Sequence, residues 1–183
     1  MRVPSIPIQV LRFVAMILIL DCSDSLFKFK NFKCKCYEKS YCEFAKCELK
    51  ILGRGIVGLN MHLQGKQFPI KRFQFQVTTF RRFNGYRPSF YNISVDVCDF
   101  FKHKKRFPFF NLMYDPLRNF SNFNHSCPYN HDIIIHRMVL NDQMLNKLPV
   151  PMGFYKLLIV IATEGIWRGE IEFFFEVNLG YDR

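Results

Sequence analysis

Glu170-Ile171-Glu172-Phe173-Phe174-Phe175-Glu176-Val177 is the stretch that decides the fold. Ile171, Phe173, Phe175 and Val177 fall on one parity, and Glu170, Glu172, Phe174 and Glu176 on the other. Successive side chains of a strand point to opposite faces, so this is a half-buried antiparallel strand with acids on its wetter face. The same alternation recurs at Val57, Leu59, Met61 and Leu63, at Phe73, Phe75 and Val77, and at Tyr91, Ile93, Val95 and Val97. Ile133-Ile134-Ile135 and Leu157-Leu158-Ile159-Val160-Ile161 are apolar on both parities. Such a strand is central, or it faces something besides protein. Phe27 and Phe29 alternate with Lys28 and Lys30, and after Asn31 the parity slips to Phe32, Cys34 and Cys36, which predicts a bulge.

Turn signals separate these runs: Gly53-Arg54-Gly55, Gln64-Gly65-Lys66, Asn84-Gly85, Leu148-Pro149-Val150-Pro151-Met152-Gly153 and Glu164-Gly165. About seven short strands with turns between them predict an all-β, two-sheet sandwich. Phe109, Leu112, Met113, Leu117 and Phe120 follow helical spacing, and Pro116 breaks it, so a short helical insertion of two turns is expected near 108–120. Nothing divides residues 26–183, which read as a single domain.

The 183 residues are 49% hydrophobic and 22% charged, which excludes a disordered chain. Two counts stand out: 22 phenylalanines, and 26 basic against 15 acidic side chains for a net charge of +11. Residues 1–25 join Arg2 and Arg12, the apolar run 13–20, and Asp21-Cys22-Ser23-Asp24-Ser25. That is the layout of a secretory signal peptide cleaved near 22–25, and its apolar run is too short to cross a bilayer. A secreted, extracellular protein without a transmembrane segment is expected.

Secretion changes what the cysteines mean. Losing Cys22 leaves Cys34, Cys36, Cys42, Cys47, Cys98 and Cys127, an even set in an oxidising compartment. Disulfides are expected, and six cysteines allow about 15 pairings. Asn92-Ile93-Ser94, Asn119-Phe120-Ser121 and Asn124-His125-Ser126 are glycosylation sequons at Asn92, Asn119 and Asn124.

Several chemistries are excluded. Gly53-Arg54-Gly55-Ile56-Val57-Gly58 matches the dinucleotide fingerprint, but a strand follows it and no acid occurs between Glu48 and Asp96. His125, Cys127, His131 and His136 have the residue types of a zinc site. A secreted Cys127 is expected to be oxidised, and His131 and His136 to point to opposite faces of one strand, so no metal is expected. Asp96 with Asp99, and His131 with Asp132, lack a nucleophile or oxyanion hole, so no enzyme and no cofactor are expected. Lys102-His103-Lys104-Lys105-Arg106 follows a signal peptide, which argues against nucleic acid. Residues 49–95 carry Lys50, Arg54, Lys66, Lys71, Arg72, Arg81, Arg82 and Arg87 with no acid. Such a face solubilises the protein, or draws it to an anionic lipid, glycan or receptor surface.

Three segments together resemble a known family. They are Phe83-Asn84-Gly85-Tyr86-Arg87-Pro88 running on to Tyr91–Cys98, then Phe120–Asp132 with its Asn124-His125-Ser126-Cys127-Pro128 and His131-Asp132, then Leu148–Tyr155. They are similar to the insect secreted family catalogued as domain of unknown function 1091, itself similar to the ML lipid-recognition superfamily. The resemblance implies an immunoglobulin-like sandwich whose splayed sheets enclose a cavity for an acyl chain, sterol or glycolipid. It also implies no catalysis and, from fly relatives in chemosensory tissues, a pheromone-like ligand. It implies Cys98–Cys127 and with it Cys34–Cys47, leaving Cys36 and Cys42 as an extra pair. Phe154 and Ser89 depart from the family pattern. The cavity wall is then expected from Phe73, Phe75, Val95, Val97, Ile133, Ile135, Leu158, Val160, Phe173 and Phe175. A lipid carrier is the first expectation; the alternative is an extracellular adaptor with a packed core, binding a receptor, channel or anionic glycan through its basic face.

Overall fold

The C-terminal alternation forms β8 (Ile166–Val177), the second strand of a five-stranded antiparallel sheet. In this computed structural model residues 27–53, 55–140 and 150–178 are described; the expected leader at 1–25 lies outside them, as do Arg54 and 141–149. The larger sheet runs β1 (Phe27–Cys36), β8, β7 (Gly153–Thr163), β4 (Phe73–Phe83), β5 (Gly85–Asp96). The smaller runs β2 (Cys42–Gly53), β3 (Ile56–Gly65), β6 (Ile133–Met138). The two sheets form the expected all-β sandwich, with eight strands among the described residues.

The bulge lies where the parity slip places it. Phe29 pairs with Phe175 and Asn31 with Phe174, so Lys30 is the extra residue. It keeps Phe27, Phe29, Phe32 and Cys34 on the inner face while Lys28 and Lys33 stay outside. Gly85 and Gly165 take positive φ at the β4–β5 and β7–β8 turns, a region that glycine enters without steric cost.

Cysteine pairing joins the layers. Cys34–Cys47 links β1 of one sheet to β2 of the other, and Cys36–Cys42 closes the turn between them. Cys98–Cys127 fastens the helical insertion to the loop before β6.

That insertion is longer than its hydrophobic spacing predicts. It comprises α1 (Val97–Lys102), a 3-10 turn at Lys104–Arg106, α2 (Pro108–Tyr114) and a 3-10 turn at Asp115–Leu117. Val97 is therefore the first residue of a helix, not the end of a strand. The Asp96 carboxylate accepts a hydrogen bond from the Asp99 amide at 2.9 Å, and this cap overrides the alternation. Pro108 opens α2 at the position where its missing N–H costs nothing. Pro116 lies in the second 3-10 turn, so the break expected there falls just after Tyr114.

Candidate functional site

The sheets do not close on each other. Between them lies a cavity of about 220 Å³. Phe73, Phe75, Val77 and Thr79 of β4, Leu157, Ile159 and Ile161 of β7, and Ile171, Phe173 and Phe175 of β8 form one wall. Met61, Leu63, Ile133, Ile135 and Met138 of the smaller sheet form the opposite wall. Phe109, Phe110, Met113, Tyr114 and Leu117 of the insertion close one side. Phe75, Leu157, Ile159, Phe173 and Phe175 are only half-buried although they sit on inner faces. Their free surface turns toward the void.

The lining contains no Asp, Glu, Lys, Arg or His. Its two aliphatic hydroxyls are already committed. Thr79 Oγ1 donates to the Ser89 carbonyl and accepts from the Tyr91 amide at 3.0 Å. Ser121 Oγ accepts from the Phe123 amide at 2.9 Å. The Thr79 bonds also explain Tyr91: β5 carries extra residues between Ser89 and Asn92, and the hydroxyl serves the amide this bulge strands. Tyr91 is thereby held inward, stacked on Phe109 at 3.9 Å between ring centroids. Burial raises the Tyr114 phenol above its ordinary value, so it stays neutral. Unfilled, the chamber would forfeit dispersion contacts along its whole lining.

Several aromatic rings of the lining and of the insertion also pack on each other. Phe100 meets Phe110 at 4.7 Å and Tyr114 at 5.4 Å, both edge to face, and Phe73 meets Phe123 at 5.8 Å and Tyr129 at 5.5 Å in the same way. These tilted contacts are the geometry aromatic quadrupoles prefer, worth about 0.5–1.5 kcal/mol each beyond burial. They anchor the insertion against the sandwich and fix one end of the chamber.

Six of the residues expected in the wall line it: Phe73, Phe75, Ile133, Ile135, Phe173 and Phe175. Four do not. Val95 is buried in the packed core, and Val97 is fully buried at the start of α1. Leu158 and Val160 lie on the outer face of β7, across from Glu172 and Glu170 on one side and Thr78 and Gln76 on the other. The run Leu157–Ile161 is apolar on both parities, so its own composition cannot phase it; pairing with the acid-bearing parity of β8 does. Leu157, Ile159 and Ile161 are the wall residues of β7 that were missed. Phe27 and Phe29 also line the chamber, and their alternation was the signal available for them.

Elsewhere, Asn92, Asn119 and Asn124 are all exposed. His131 precedes β6 rather than sharing a strand with His136, and its Nε2 lies 2.8 Å from His125 Nε2. Cys127 is disulfide-bonded, and the described residues hold no group of three or more metal-ligating side chains. Part of the basic stretch is neutralised by distant acids: Lys66 pairs with Glu43 at 3.1 Å and Arg72 with Glu164 at 3.2 Å.

Fold and site together define a disulfide-stapled, two-sheet β-sandwich with an apolar chamber between its layers. Residues 75–157, from β4 through the insertion and β6 into β7, match the family described as "Protein of unknown function (DUF1091)". Comparison with curated proteins finds no match. Among the described residues no helix is long and apolar enough to cross a membrane, and three disulfides are compatible with an extracellular setting.

Proposed function

We propose that the protein is a secreted, non-enzymatic carrier of a small apolar ligand held between its sheets. The observation that carries this reading is the chamber itself, about 220 Å³ with an uncharged wall. An apolar cavity of about 150 Å³ stays dry and takes up benzene, whereas sites for drug-sized molecules run to about 300–1,000 Å³. The space therefore suits one slender chain or a small ring system, such as an acyl tail or a pheromone-like volatile. Apolar atoms entering it gain hydrophobic transfer energy and restore the missing dispersion contacts. The adaptor reading calls for a packed core, and an unfilled chamber favours the carrier over it.

The test is native mass spectrometry and solvent extraction of protein secreted from insect cells, followed by titration of the emptied protein with the apolar dye N-phenyl-1-naphthylamine. A bound apolar molecule, or one dye taken up per chain with enhanced fluorescence, is expected. A clean apo mass with no dye uptake refutes the carrier and returns the protein to the adaptor class.

A further inference from the structure

Along β4 the inward parity continues past the chamber. Phe73, Phe75, Val77 and Thr79 line it, and Arg81 occupies the next inward position, about 7 Å beyond Thr79. Arg81 is half-buried. Its guanidinium lies 5.9 Å from the centre of the Tyr155 ring, and that ring stacks at 5.5 Å on Phe175, a chamber wall residue. One N–H group is spent on the Met152 carbonyl at 2.9 Å. An arginine carries about five such donors, so the rest are available.

Directly across the β4–β5 ladder from Arg81 is Arg87. Residues opposed in an antiparallel pair share a face with their Cβ atoms about 5 Å apart, and like charges so placed repel. Among the described residues neither cation is within ion-pair distance of a carboxylate, although Lys30, Lys66, Arg72, Lys156 and Arg168 all are. Two guanidiniums without a carboxylate partner among the described residues thus lie next along β4 and β5 beyond the uncharged lining, Arg81 half-buried and Arg87 exposed. Arg82 does not share the position, because it lies on the outer face at 5.8 Å from the Phe154 ring centre.

We infer that the ligand is an amphiphile with one anionic head, a fatty-acid-like carboxylate held between Arg81 and Arg87 while its tail enters the chamber past Thr79 and Tyr91. The inference rests on the carrier reading. A planar carboxylate matches the guanidinium fork and relieves the repulsion between the two arginines. The chamber wall cannot accept that head, since a carboxylate buried there would have no partner. Its volume admits one tail and not the two of a diacyl lipid.

The experiment uses dodecanoate and dodecanol, which share a tail and differ in head charge, as competitors for N-phenyl-1-naphthylamine bound to the emptied full-length secreted protein. Dodecanoate should displace the dye about tenfold more tightly than dodecanol, the worth of one charge-assisted hydrogen-bonded pair at a half-buried site. Arg81→Gln with Arg87→Gln should abolish that preference by weakening dodecanoate alone, and Arg81→Lys with Arg87→Lys should keep most of it. Equal competition by both molecules in the parent protein, or a carboxylate preference that survives the double glutamine variant, overturns the anionic-head assignment and leaves the carrier standing. If neither molecule competes and the dye does not bind, the carrier reading falls, and the inference with it. Comparison of the two competitors on the parent protein decides the matter even if the glutamine variant misfolds.

Discussion

Val77 and Val95 offer a paired test of whether the chamber is empty space or packed core. Both valines are inward on adjacent strands and both are buried, at 0% and 3% exposure, but only Val77 lines the void. Replacing each with phenylalanine adds the same group, about four carbons, to the same type of site. At about 0.8 kcal/mol per buried methylene, a ring that enters the void from Val77 gains up to about 3 kcal/mol. Rotamer adjustment and local strain take back about 1–3 kcal/mol, which leaves Val77→Phe between neutral and about 2 kcal/mol more stable. At Val95, opposite Phe75 on the ladder, no comparable space exists, and overpacking should cost about 1–3 kcal/mol. The two variants should therefore differ by about 1–5 kcal/mol, roughly 2–20 °C in melting temperature for a domain of this size. Equilibrium urea unfolding of ligand-stripped protein, followed by far-ultraviolet circular dichroism under non-reducing conditions, measures the difference. Val77→Phe should also exclude the dye. Equal destabilisation by the two substitutions would refute the reasoning, because it would mean that the wall at Val77 is as tightly packed as the core at Val95.

Two further predictions follow from the same structure. Cys98–Cys127 closes 29 residues and Cys36–Cys42 only 6, the latter inside the loop that Cys34–Cys47 already closes. Loop-closure entropy then makes the double serine replacement at 98 and 127 cost about 3.5 kcal/mol and that at 36 and 42 no more than about 2; urea midpoints in the reverse order would contradict this. Glu164 accepts hydrogen bonds from the Arg72 and Lys71 amides at 3.0 and 2.7 Å and from the Arg72 guanidinium, which hold its carboxyl below the ordinary 4.5. A depressed folded value contributes stability that is full above the unfolded value and lost as pH falls through the folded one. The melting-temperature advantage of the parent over Glu164→Gln should accordingly be constant near neutrality, shrink as pH falls below the ordinary 4.5 and vanish in strongly acid solution once the folded carboxyl is protonated; an advantage that does not change with pH across that range would show that the carboxylate charge is not its source.

Some elements were legible because their cause is local. Ile171, Phe173, Phe175 and Val177 announce an inner face by parity alone, and the slip after Asn31 announces the bulge that Lys30 fills. The even cysteine set pointed to three bridges, each now with a defined position. The site was less legible. Phe73, Phe75, Phe173 and Phe175 follow from alternation, whereas Ile133 and Ile135, like Leu158 and Val160, lie in runs apolar on both parities that alternation cannot phase, and Leu158 and Val160 fall on the outer face. Val97 continued an unbroken alternation, yet the cap formed by Asp96 and Asp99 started a helix there. Periodicity competes with local hydrogen bonding at such a boundary, and here the hydrogen bond prevailed.

By itself the sequence determined the strands, their inner parities where polar residues alternate, the turns between them, and a family likeness over the middle of the chain. Those properties depend on the order of side chains within a few residues. Only the tertiary structure decided the phase of β7, which is imposed by the acids of β8 lying beside it. It alone brought Arg81 and Arg87 face to face, because the β4–β5 turn closes with Phe83 opposite Gly85 and that register carries back to the two arginines. It also set which phenylalanines border an open space, Phe73, Phe75, Phe173 and Phe175 among them. The chamber is the difference between the separation of two sheets and the volume of the side chains between them. That difference belongs to the assembled layers, and no stretch of the chain encodes it alone.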